Sequence, residues 1–135
     1  MRSKAGYTLM EMLVVLTILG FVSAAALPML SASRPGLRAK AAARAVASDF
    51  GAARQEAILK GEEARVTFDP ASSSYALPGG ARRVLPQGIA LSAQQREIDF
   101  FPDGSSSGGS VTVTSGATRH RVTARWPSGQ IVLDE

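Results

Sequence analysis

The sequence predicts an α+β fold: one long N-terminal helix, membrane-spanning in its first half and amphipathic in its second, packed on a C-terminal antiparallel β-sheet or two-layer β-sandwich. Three observations carry that expectation. An apolar run extends from Gly6 to Leu30 with a single charged residue inside it, Glu11. Apolar residues then recur at three- and four-residue intervals up to Lys60, as a one-sided helix requires. After Gly61 the pattern changes to short β-prone runs separated by proline, glycine, aspartate and serine.

At 135 residues the chain has room for one domain and an anchor. The expected division is a short basic leader over 1–6 carrying Arg2 and Lys4, a first helical half over 7–30, an amphipathic half over 31–60 and a β-rich domain over 61–135. A stretch of roughly 20 apolar residues crosses a bilayer as a helix. An ionised carboxylate costs about 2.5–3.5 kcal/mol at mid-membrane, so Glu11 requires a compensating partner. Pro28 removes one helical hydrogen bond and is expected to kink the run.

Residues 31–36 read as a bend, the alternative being a true break with a flexible hinge, with Ser31 or Ser33 as a cap and Pro35 suited to the next helix's first turn. From Leu37 to Lys60 the stripe Ala42, Val46, Phe50, Ala53, Ala57 and Ile58 forms the packing face. Arg38, Lys40, Arg44, Asp49, Arg54 and Glu56 fall mostly off it, and Gly61 is a natural stop. A helix continuing with bends over 7–60 would be about 80 Å long. About eight strands come after it, at 64–68, 75–77, 82–85, 89–92, 98–101, 111–114, 121–126 and 130–133.

Composition removes several kinds of chemistry. With no cysteine there is no disulfide framework, thiolate metal site or cysteine nucleophile. The glycine-serine stretch 103–109 lacks the lysine and following helix of a phosphate-binding loop. Asp103, Ser106 and the lone His120 can be written down as a triad, but nothing around them has the strained elbow such a serine needs. A calcium ion would find one local carboxylate there. No catalytic residue, metal or cofactor is therefore expected, and the chain reads as a non-enzyme. Net charge is +4, only mildly basic once Arg2 and Lys4 are set aside. Arg119, Arg121 and Arg125 alternate onto one strand face, which reads as a solvated sheet face or, alternatively, as a strip for DNA phosphates or a partner protein, with Val122, Ala124 and Trp126 turned to the core.

The N-terminal residues carry a resemblance. Arg2, Lys4, Gly6, the aromatic Tyr7, Thr8-Leu9, Glu11 and the apolar run to Gly20 resemble the class III signal of type IV pilins and type II secretion pseudopilins. An ordinary secretory signal cut near Ala24-Ala25-Ala26, or a plain single-span anchor, would share the basic start and the apolar run. The resemblance implies that prepilin peptidase cuts between Gly6 and Tyr7 and methylates the new amino group of Tyr7. It implies that Glu11 pairs with the Tyr7 amino group of a neighbouring subunit during assembly. Tyr7 departs from the phenylalanine usual in that family. Many pilins carry a proline where Pro28 stands.

Residues 100–109, together with 121–126, the Ser128-Gly129 turn and 130–132, resemble the C-terminal domain shared by minor pseudopilin H and the FimT-like minor pilins; the loop is more similar to the secretion member. This second resemblance implies a minor pseudopilin near the tip of the type II secretion pseudopilus, supporting protein export across the outer membrane. Its implied partners are the major and other minor pseudopilins, prepilin peptidase, the inner membrane and secreted substrates. The alternative is a FimT-like minor pilin that binds DNA in uptake. Charge leaves orientation open, since Arg34, Arg38, Lys40 and Arg44 follow the span as Arg2 and Lys4 precede it. The resemblance implies a single-pass inner-membrane protein with a periplasmic C-terminal domain.

Overall fold

The computed structural model describes residues 7–31 and 35–134, with the backbone alone over 25–31 and at Pro35. The chain divides into two compact units, one holding the first helix and the other everything from the second helix onward. Helix α1 runs Leu9–Ser31. Thr8 starts it: its hydroxyl oxygen accepts the Glu11 N–H at 3.2 Å and its carbonyl accepts the Met12 N–H at 3.2 Å. The helix continues through Pro28 as one element and ends at Ser31, so Ser31 closes α1. The described side chains of α1 are exposed along its whole circumference. Among the described residues no helix is long and apolar enough to cross a membrane. The span expected over 7–30 extends into 25–30, whose side chains lie outside the description, as do the leader 1–6 and the cap candidate Ser33.

Helix α2 runs Pro35–Lys60, with Pro35 in the opening turn where its missing N–H costs nothing. Gly61 stops it at φ +68°, donating its N–H to the Ala57 carbonyl at 3.0 Å. Eight strands come next: β1 Ala64–Asp69, β2 Ser74–Ala76, β3 Arg82–Val84, β4 Ala90–Ala93, β5 Glu97–Phe100, β6 Gly109–Ser115, β7 Thr118–Ala124 and β8 Ile131–Asp134. They form two four-stranded sheets with neighbours in the order β3-β2-β1-β5 and β4-β6-β7-β8, every pair antiparallel.

Helix α2 packs against β1 and β5 of one sheet and β6, β7 and β8 of the other. Ala42, Ala43, Val46, Phe50, Ala53 and Ala57 are its buried stripe. The small alanines let the backbone approach the sheets, and Phe50 fills the middle, 5.8 Å from the ring of Phe68 and 6.1 Å from that of Phe100. Val66, Ile98, Val111, Val113 and Val122 complete the core from both sheets.

Two core expectations are corrected. Ile58 is 41% exposed, because it lies one residue past Ala57 and about 100° off the buried stripe. Trp126 is 74% exposed, because the strand expected over 121–126 begins at Thr118 and ends at Ala124. Beyond Ala124 the alternation is lost: Arg125 donates its N–H to the Gln130 carbonyl and accepts that of Gly129, both at 2.8 Å, closing a turn.

Candidate functional site

No single cleft gathers the residues that the sequence singles out; they lie in three places. At the N-terminal end, Glu11 stands at the third helical position of α1, inside the first turn, with Thr8 as cap and the exposed Tyr7 one residue before it. Helix N-termini carry partial positive charge, so a carboxylate in this turn is placed favourably along the axis. Thr8-x-x-Glu11 is the spacing of a capping box, a signal present in the sequence beside the pairing reading of Glu11. Gly6 lies outside the described residues.

The second place is the outer face of the β4-β6-β7-β8 sheet. Strand register puts Ser92, Thr112, Arg121 and Asp134 opposite one another across all four strands, and Thr114 opposite Arg119 in the next row of that face. These six residues line a shallow cleft of about 580 Å³. Their strand neighbours Leu91, Val113, Val122 and His120 are buried, so the predicted alternation holds through Ala124. Arg119 and Arg121 come together; Arg125 lies past the end of β7 and does not line the cleft. Among the described residues, neither Arg119 nor Arg121 has an ion pair or hydrogen bond.

The third place is the 103–109 loop, whose polar groups are consumed in holding it. The Asp103 carboxylate accepts the Ser105 N–H at 2.9 Å and its hydroxyl as well, and those bonds hold it below the usual carboxylate range. The buried Ser106 hydroxyl oxygen accepts the Gly108 N–H at 3.1 Å, and that of Ser107 accepts the Asp99 N–H at 2.9 Å. Neither ring nitrogen of buried His120 has a hydrogen-bond partner. Asp103, Ser106 and His120 are thus not hydrogen-bonded to one another, and no nucleophile is assembled from them.

Arg54, read from the sequence only as an off-stripe charge, ties this loop to the body. Its Nε donates to the Gly104 carbonyl at 2.7 Å and its Nη2 to the Ser128 carbonyl at 3.3 Å. A Cβ on Gly129, where φ is +66°, would lie 2.2 Å from the Gly104 oxygen, so glycine permits the close approach of the two turns. Nothing local in the sequence pairs positions this far apart. Tyr75, also without an expected role, donates its hydroxyl to Asp49 Oδ2 at 2.6 Å, with Arg83 Nε 3.6 Å from the same oxygen. Burial first, then the Asp49 carboxylate, pushes the phenol well above its ordinary value.

Residues 1–27 match the family model for the prokaryotic N-terminal methylation motif, and residues 42–128 match that for type II transport protein GspH. Type II secretion system protein H of Xanthomonas campestris pv. campestris is 31% identical over 140 residues, an alignment covering 96% of this chain and 83% of that relative. Among solved structures, the minor pseudopilin EpsH from the type 2 secretion system of Vibrio cholerae is similar at a TM-score of 0.62 and 18% identity, over 71% of this chain and 95% of that one. The type IV minor pilin FimU of Pseudomonas aeruginosa is similar at a TM-score of 0.58 and 10% identity, over 71% of this chain and 92% of that one. At such identities the two structures speak to the fold.

Proposed function

Because the chain belongs to the type II transport protein GspH family, we propose that it is a minor pseudopilin, a non-enzymatic structural subunit near the tip of the type II secretion pseudopilus that supports protein export across the outer membrane. One observation carries the reading. An apolar helix with a lone carboxylate in its first turn is joined to an α+β body whose loop serines and loop carboxylate hold backbone turns. The helix is the part that assembles; the body presents surfaces.

In this account prepilin peptidase removes 1–6, and Tyr7 becomes the methylated N-terminus. The Glu11 carboxylate then meets the Tyr7 amino group of the subunit beside it, and Pro28 lets the apolar helix bend. The anchor lies in the inner membrane as a single pass, the body lies in the periplasm, and the neighbours are the major and the other minor pseudopilins. Secreted substrates meet the body. The DNA-binding reading draws on Arg119 and Arg121, but Arg125 lies outside their cleft and Asp134 lies inside it.

Deleting the gene tests the assignment. Exported proteins are expected to accumulate in the periplasm and return to the medium on complementation, while DNA uptake and pilus-dependent movement stay at the parental level. Normal export with lost DNA uptake would replace this reading with the minor-pilin one.

A further inference from the structure

We propose that the outer face of the β4-β6-β7-β8 sheet is a docking site for an extended acidic protein segment whose carboxylates fall at alternate residues. Arg119 and Arg121 are two residues apart on one face of β7, so their side chains leave the sheet roughly 6.6 Å apart. An extended segment repeats its side chains at that same distance. Two carboxylates at its positions i and i+2 reach the two guanidiniums together, each able to accept a forked pair of N–H bonds.

Several exposed cations elsewhere on the body are already engaged. Arg65 is paired with Glu63, Glu97 and Asp99; Arg82 with Asp69; Lys60 with Glu56. Arg119 and Arg121 keep their donors unused, among the hydroxyls of Ser92, Thr112 and Thr114, which can serve the polar groups of an incoming segment. Asp134, opposite Arg121 across the β7-β8 pair, leaves the cleft with one excess positive charge. That balance suits carboxylates placed singly. A nucleic-acid backbone needs a longer line of cations, and Arg125, past the end of β7 and outside the cleft, does not extend the pair.

The test uses the full-length protein in detergent micelles at low ionic strength and two fluorescent heptapeptides of equal charge, Ser-Glu-Ser-Glu-Ser-Glu-Ser and Ser-Ser-Glu-Glu-Glu-Ser-Ser. A 20-base-pair DNA duplex is the third probe. Fluorescence anisotropy is expected to give tighter binding of the alternating peptide, by about threefold, and about tenfold weaker binding of it to Arg119→Gln/Arg121→Gln. Arg125→Gln is expected to bind it unchanged and Asp134→Asn to bind it more tightly. Unchanged melting temperatures establish that the variants fold. Equal affinity for the two peptides, no binding, or indifference to the double substitution overturns the proposal. Tighter binding of the duplex that needs all three arginines replaces it with a nucleic-acid site.

Discussion

Glu11→Ala is expected to leave the chain inserted and cut after Gly6, yet to exclude nearly all of it from assembled pseudopili. The helix start changes little, because the cap bond runs from the Glu11 backbone N–H to the Thr8 hydroxyl and survives the change to alanine, and the lost interaction of the carboxylate with the helix N-terminus is worth only about 0.3–1 kcal/mol. What is lost is the carboxylate, the single charge in the apolar run from Tyr7 to Leu30. A neighbour's N-terminal amine then enters the assembly uncompensated. Removing one member of a desolvated pair costs about 3–5 kcal/mol, which shifts incorporation by at least two orders of magnitude. Thr8→Ala separates the two roles: it weakens the helix start by about 1 kcal/mol and should reduce incorporation only slightly. Pull-down of sheared pseudopili with blotting of bound and membrane fractions is the readout. Incorporation of Glu11→Ala at the parental level would sink the charge-pair account.

Phe50→Ala is expected to destabilise the body by about 3–5 kcal/mol, the range for emptying a fully buried aromatic site. Phe50 is 0% exposed and faces Phe68 and Phe100, at the centre of a core shared by α2 and both sheets. Its removal leaves a void inside that core. Domains of this size are stable by only about 5–15 kcal/mol, so a large part of the reserve goes. Urea unfolding followed by far-ultraviolet circular dichroism measures it. Ser48→Ala, on the exposed side of the same helix, should stay within about 0.5 kcal/mol of the parent. A Phe50→Ala loss below about 1 kcal/mol would mean that this ring does not tie the helix to the sheets.

Periodicity makes most of this fold legible. The stripe from Ala42 to Ala57 is buried as its spacing requires, and all eight strand runs are strands, because antiparallel pairs with one buried face need alternation at every second residue. The misplacements come where periodicity ends. Extending the β7 alternation puts Trp126 in the core, but the Arg125-Gln130 turn interrupts that alternation before it gets there. Apolarity alone puts Ile58 on the packing face, but the buried position of that turn is Ala57, and Ile58 lies about 100° away from it.

The candidate sites are legible in unequal measure. Arg119 and Arg121 follow from alternation alone, and Glu11 from its isolation in an apolar run. Arg54 and the Tyr75-Asp49 pair require knowing which distant segments meet, and local sequence does not encode that. The unpartnered imidazole of His120 is invisible for the same reason: its neighbours belong to other elements.

The central claim is that this chain is processed and assembled as a pseudopilin. Intact-mass measurement of the protein from membranes of cells with and without prepilin peptidase tests it most directly. The account predicts a chain beginning at Tyr7, heavier by one methyl group, when the peptidase is present, and a chain retaining residues 1–6 when it is absent. A chain that is uncut in both strains, or cut near Ala26 regardless of the peptidase, would contradict it.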